Sequence, residues 1–147
     1  MSCEKLVASA LMSALPFYVP KNYSLADAID KIEQYKLSQV IVTDSNFVTV
    51  GTITKKQIAK FLLLKQLKRY DYKTHEIKIG ELFDASKPCI VAYPATEISE
   101  IKEVMEALRL NHIPIVKSPW NKVLIGFISL ENIQVVLGNL PLLSLIG

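Results

Sequence analysis

The sequence predicts an α+β protein built from two repeated β-α-β-β-α units packed with pseudo-twofold symmetry. Three observations carry that expectation. The segment Gly51-Thr52-Ile53-Thr54-Lys55-Lys56-Gln57 returns as Gly126-Phe127-Ile128-Ser129-Leu130-Glu131-Asn132, each time after a Val/Ile strand and before an amphipathic helix. Upstream, Leu25, Ala28 and Ile32 match Ile98, Ile101 and Met105 at an offset of 73, Ile41 and Val42 match Ile115 and Val116 at 74, and the two glycines stand 75 apart. Each one-residue drift falls between elements, where an insertion disturbs packing least, so two copies of one supersecondary unit are the economical reading.

The first unit opens with a short strand around Phe17-Tyr18-Val19 and a turn at Pro20-Lys21-Asn22-Tyr23. Ser24 then stands as an N-cap, with Asp27 three residues on as its capping-box partner. Leu25, Ala28, Ile29, Ile32 and Tyr35 recur at helical spacing, and Val40-Ile41-Val42 begins a strand. Asp44-Ser45-Asn46 turns the chain into a returning strand over residues 47–53. A second helix is expected from about residue 55 to 68, with Ile58, Phe61, Leu62 and Lys65 on one stripe.

The second unit repeats this order after a charged connection. A lead-in turn of helix over 79–83 precedes a strand over 88–93, and Thr96 is read as the cap of a helix carrying Ile98, Ile101, Val104, Met105 and Leu108. The hairpin pairs residues 113–116 with 123–128 around a long turn that puts Trp120 at a surface tip. The last helix runs from Leu130 to about Leu137 and stops at Gly138-Asn139. The expected division is therefore 1–70 for the first repeat with its N-terminal lead-in, 71–78 for the connection, and 79–147 for the second repeat with an apolar C-terminal tail.

Composition narrows the function classes. A chain of 147 residues, half of them hydrophobic, buries roughly 70% of its unfolded surface as one domain. The net charge of +3 is mildly basic, yet only Arg69 and Arg109 are arginines among 17 basic residues, whereas nucleic-acid surfaces favour the multidentate guanidinium. The run Lys55, Lys56, Lys60, Lys65, Lys68, Arg69 and Lys73 reads as a solvated face, without the aromatic interleaving that stacks bases. Nucleic acid is not an expected partner. Two cysteines, Cys3 and Cys89, make no disulfide framework and the N-terminus shows no signal-peptide pattern, so a cytoplasmic location is expected. The apolar tail 140–147 falls short of the roughly 20 residues that span a bilayer, and it is expected to pack against protein.

Catalytic and metal constellations are not found in the sequence. His75-Glu76 lacks a second His one turn on, two His and two scattered Cys have no zinc spacing, and there is no Gly-rich phosphate loop or Gly-x-Ser-x-Gly elbow. Glu100, Glu103 and Glu106 read as a solvated helix face. No catalytic or metal-binding residue is assigned, and an enzyme is not expected.

The repeated frame of strand, turn, helix, Ile-Pro-Ile-Val hairpin and Gly-x-x-Thr/Ser-x-x-polar helix start resembles a tandem pair of cystathionine β-synthase (CBS) domains, a Bateman module, over roughly residues 12–138. That resemblance implies two clefts between the halves that take adenosine compounds such as AMP, ADP, ATP or S-adenosylmethionine as regulatory ligands, with no required cofactor. It also implies a regulatory role, energy sensing among them, and a disc-like homodimer. In the family the Thr/Ser of the motif touches phosphate and an Asp three residues on takes the ribose hydroxyls. Here Thr54 and Ser129 keep the hydroxyls, while Gln57 and Asn132 replace both carboxylates with amides. An amide makes weaker bonds than a carboxylate to a diol. Thr54 and Gln57 equally fit a pure capping box; Ser129 and Asn132 fit one less well, because Asn is shorter and a poorer helix former.

The resemblance makes the Ser129/Asn132 cleft the preferred one. Its phosphate side is implied at Asn111 and His112, which also read simply as a half-exposed polar pair ending a helix. Its far wall is implied at Met12, Ser13, Phe17 and Tyr18, where the last two are otherwise ordinary strand residues. The weaker cleft would use Thr54, Gln57, Ser38 and Gln39, facing Ala85, Lys87 and Ile90. Two expectations follow: a stand-alone regulatory module that binds an adenine nucleotide and signals to a partner protein not identifiable from the sequence, or a ligand-free dimerisation or docking module with degenerate sites.

Overall fold

The computed structural model describes residues 6–13, 18–83 and 89–137. Phe17, Ala85, Lys87, the Gly138-Asn139 stop and the apolar tail lie outside them. The first unit contains β1 (Tyr18–Pro20), α2 (Leu25–Gln34), β2 (Gln39–Thr43), β3 (Thr49–Thr54) and α3 (Lys55–Leu64), preceded by a short helix α1 (Ala8–Leu11). Two 3₁₀ turns, Tyr72–His75 and Ile79–Leu82, lead to α4 (Ile98–Leu108), β4 (His112–Val116), β5 (Leu124–Ser129) and α5 (Leu130–Val136). In the first unit β1 pairs parallel to β2, which pairs antiparallel to β3; in the second, β4 pairs antiparallel to β5. Both hairpins shift register near the same place, after Val42 and after Ile115.

Each helix presents its repeated apolar positions inward. Leu25, Ala28 and Ile32 are buried in one cluster with Val40, Val42 and Ile53, and Ile98, Ile101 and Met105 are buried in another with Ile113, Ile115 and Ile128. The lead-in segments, however, cross over. Ile79 is buried in the first cluster and Ala8 in the second. Leu25 N donates to Ile77 O and Ile79 N to Tyr23 O, while Ile98 N donates to Leu6 O and Ala8 N to Thr96 O. The same exchange explains the repeated glycines. A Cβ on Gly51 would stand 2.5 Å from Phe83 Cε1, and one on Gly126 would stand 2.7 Å from Ser13 O. Each glycine lets the lead-in segment close down on the strand of the other unit.

Four local expectations are corrected. The strand expected over 88–93 is reduced, among the described residues, to a single parallel bridge between Ala92 and Ile115. Ala92 N donates to Pro114 O and receives from Val116 N, but the next rung needs an N–H at position 114, and proline has none. In the first unit Ile41 stands at that position, paired with Thr52 as Pro114 is with Phe127, and a ladder forms; the strands therefore keep the helix offset of 73 rather than the expected 74. Thr96 does not cap α4: its Oγ1 accepts from Tyr93 N, and Glu97 occupies the N-cap without a side-chain bond. Ser24 does cap α2 through Asp27 N at 3.0 Å, with no reciprocal bond from the shorter Asp27 side chain. Finally, α3 ends at Leu64 rather than near 68 because Gln66 turns left-handed, φ 58, with Leu67 N bonded to Leu62 O and Gln66 N to Leu63 O. That is a Schellman ending without glycine. Trp120 stands 91% exposed at its hairpin tip, as expected.

The two units are joined at their hairpin tips, where Thr49 N donates to Lys122 O and Leu124 N to Phe47 O. No helix among the described residues is long and apolar enough to cross a membrane.

Candidate functional site

Both repeated motifs place a hydroxyl at the junction of a strand and a helix. Thr54 Oγ1 accepts from Gln57 N at 3.1 Å and Gln57 Oε1 accepts from Thr54 N at 2.8 Å, a complete capping box. Ser129 Oγ accepts from Asn132 N at 3.1 Å, and the Asn132 side chain makes no return bond. The first amide of each helix then reaches back to the residue just before the paired strand: Lys55 N donates to Ser38 O, and Leu130 N to Asn111 O. These bonds hold Ser38 and Asn111 at equivalent places in the two units.

The pseudo-twofold relation brings those equivalent residues together. Asn111 Nδ2 donates to Ser38 Oγ at 3.3 Å, and Gln39 Nε2 donates to the backbone carbonyl of His112 at 3.0 Å. Beside this seam lies a cavity of about 500 Å³ lined by Ser38, Asn111, His112, Phe127, Ser129, Leu130, Glu131 and Gln134. Its size lies within the ordinary range for small-ligand pockets, and six of its eight lining residues carry polar or charged side chains.

Two titratable groups, His112 and Glu131, line it. The His112 ring packs tilted against Phe127 at 5.4 Å between centroids, and Nδ1 is buried without a hydrogen-bond partner. Burial pushes its pKa below the ordinary value, and the Glu131 carboxylate opposes that shift. The imidazole is therefore neutral at pH 7. A buried orphan N–H is rarer in proteins than a buried bare acceptor, which favours the tautomer with its proton on Nε2.

Of the residues expected in the preferred cleft, Ser129, Asn111 and His112 line the cavity. Ser13 sits behind it, exchanging hydrogen bonds with Phe127, and Met12 lies over Gly126. Tyr18 packs instead against Phe47, 4.8 Å between ring centroids. Asn132 is exposed and is not among the described lining residues. Of the residues assigned to the weaker cleft, Ser38 lines this same cavity and Gln39 is buried beside it. Thr54 and Gln57 are engaged with one another, and Ile90 is 40% exposed. Phe127, Leu130, Glu131 and Gln134 were not anticipated; the first three lie inside the repeated motif, which was the available signal. No cluster of three metal-ligating side chains occurs among the described residues.

Family comparison agrees with this geometry. The model of the CBS domain matches twice, over residues 7–64 and 79–138. The chain belongs to the CBS domain family and contains a tandem pair of such domains. A comparison with curated proteins finds no match. Solved structures of similar fold include CBSX2 in complex with AMP, 19% identical with a TM-score of 0.72 over 92% of this chain and 98% of that one. The CBS domain pair of MJ0100 in complex with 5-methylthioadenosine and S-adenosyl-L-methionine is 19% identical, with a TM-score of 0.70 over 92% and 98%. The CBS domains of a transcriptional regulator from Streptococcus pneumoniae are 16% identical, with a TM-score of 0.69 over 88% and 98%. At these identities the likeness is one of fold.

Proposed function

We propose that this CBS-domain pair is a regulatory, non-catalytic module of a homodimeric protein, which binds an adenosine-containing ligand, such as AMP, ADP or ATP, in the cleft at His112 and Ser129 and signals its occupancy to a partner protein. One observation carries the reading: a single cavity of about 500 Å³ draws Ser38 from the first unit and Asn111, His112 and Ser129 from the second. A ligand seated there touches both halves, so it favours the relative orientation in which both sets of contacts are made; equal binding to every orientation would shift nothing. The neutral His112 offers an N–H and Phe127 an apolar ring surface beside it, a pairing suited to a nucleoside. The adenosyl ligands of CBSX2 and MJ0100 support that ligand class.

A thermal-shift screen with AMP, ADP, ATP, S-adenosylmethionine, NAD and an inorganic polyanion tests the reading. Ligand at 100 times its dissociation constant stabilises the fold by about 2.7 kcal/mol, a shift of several degrees for a chain of this size. A selective adenosyl shift that disappears in His112→Ala is expected. No shift with any compound would instead favour a ligand-free dimerisation or docking module. That second reading has its own support: the Gln57 amide oxygen is already engaged by Thr54 N, and the Glu131 carboxylate lines the cavity where phosphate would approach.

A further inference from the structure

We infer that Glu131 makes the cleft at His112 and Ser129 select against phosphate, so that among adenosine-containing ligands it prefers a nucleoside carrying no net negative charge over the corresponding nucleotide. The inference rests on the adenosyl-ligand reading above and adds the charge of the ligand. Among the described residues no lysine or arginine lines the cavity. His112 is neutral at pH 7, because burial holds its pKa below the ordinary value. The Glu131 carboxylate is the charge that remains on the described lining.

The start of α5 offers little to an anion in compensation. Leu130 N already donates to Asn111 O and Asn132 N to Ser129 Oγ, so two of the first three amides of the helix are engaged. Glu131 itself stands in that first turn, where its carboxylate complements the positive end of the helix in place of a ligand. It is close enough to His112 to oppose the pKa shift that burial imposes, so its field is felt by its neighbours on the lining. The first unit is built differently here: at the offset of 75 set by the two glycines, Leu130 and Glu131 correspond to Lys55 and Lys56. The same fold accepts a cation at this position, so the carboxylate is not needed to build the helix start.

The rest of the lining offers neutral polarity. Ser129 keeps a hydroxyl proton to donate after accepting from Asn132 N, Asn111 keeps its amide oxygen after donating to Ser38 Oγ, and Gln134 adds a second amide. Such groups bond hydroxyls, ring nitrogens and amines without a counter-charge. Each phosphate brought beside Glu131 instead sets like charges against one another, with no cation on the described lining to offset them.

Titration calorimetry of the intact chain with adenosine, AMP, ATP and S-adenosylmethionine tests this, since adenosine and AMP differ only in the phosphate. The variants are Glu131→Gln, Glu131→Lys and, as a control of equal net-charge change on an exposed residue away from the described lining, Glu103→Lys; thermal melts verify that each folds. For the native protein we expect adenosine and S-adenosylmethionine to bind on the order of tenfold or more tighter than AMP, and ATP to bind more weakly still. The gap should shrink as salt screens the exposed carboxylate. Glu131→Gln narrows it, Glu131→Lys closes or reverses it, and Glu103→Lys leaves it as it was. AMP or ATP binding the native protein as tightly as adenosine or tighter, or a gap that Glu131→Lys and Glu103→Lys change equally, overturns the selectivity and leaves the adenosyl reading standing. No binding of any of the four to the native protein overturns that reading and this inference with it.

Discussion

Gln39 and His112, 73 positions apart, are joined by a hydrogen bond from Gln39 Nε2 to the His112 backbone carbonyl at 3.0 Å. Gln39 is 6% exposed, so its amide has little water to fall back on. The bond fastens the start of β2 to the start of β4 and fixes the position of the residue that lines the cavity. Gln39→Leu keeps the size of the side chain and leaves the carbonyl without this donor. We expect it to destabilise the fold by about 1–2 kcal/mol in urea unfolding, in keeping with an unsatisfied buried group. Unchanged stability would mean that the bond adds nothing to the seam.

The glycines of the repeated motif give an unequal pair. At Gly51 the added methyl meets the far end of the Phe83 ring, which can rotate away. At Gly126 it meets the Ser13 carbonyl oxygen, which is fixed by its own bond from Phe127 N. Gly126→Ala should therefore cost about 2 kcal/mol or more and Gly51→Ala clearly less, within the range for overpacked sites. Equal melting temperatures for the two variants would refute the explanation by close approach.

The sequence shows the duplication plainly because burial imposes it: Leu25, Ala28 and Ile32 and their partners 73 residues on all lie in cores, and core positions tolerate little else. Helix ends were less legible. Lys36, Gln66 and Arg109 take left-handed conformations after α2, α3 and α4, although none is the glycine that usually announces such a turn. The exchange of lead-in segments was invisible because Ile79 and Ala8 look alike as apolar residues whichever core receives them. For the same reason, residues assigned to separate clefts, Ser38 and Asn111, proved to be hydrogen-bonded neighbours. Offset arithmetic says which residues are equivalent; only the symmetry axis says which equivalents touch.

The caps separate stability from ligand contact. Thr54→Ala removes one half of a reciprocal box and Ser129→Ala removes the side-chain cap at the N-terminus of α5. Each should lower stability by about 1 kcal/mol. Asn132→Ala should change it by less than about 0.5 kcal/mol, because the exposed Asn132 contributes only its backbone N–H to the cap. Urea unfolding of the three variants checks the ranking, and an Asn132→Ala loss equal to that of Ser129→Ala would show that its side chain supports the helix start after all.

His112 gives the fold a pH dependence with a definite sign. Burial, the larger cause, pushes its pKa below the ordinary value, and Glu131 draws it part of the way back. The unfolded chain, with a histidine near pKa 6.5, binds the proton more readily than the folded one. Stability from this group is fully present above about pH 6.5 and is lost as pH falls from there through the lower folded pKa. His112→Gln, which cannot charge, should flatten that slope in urea unfolding between neutral and mildly acidic pH. Glu131→Gln should do the opposite: without the carboxylate the folded pKa drops further, and the loss continues to lower pH. If the native protein and His112→Gln lose stability in parallel over that interval, the buried imidazole is not the group responsible.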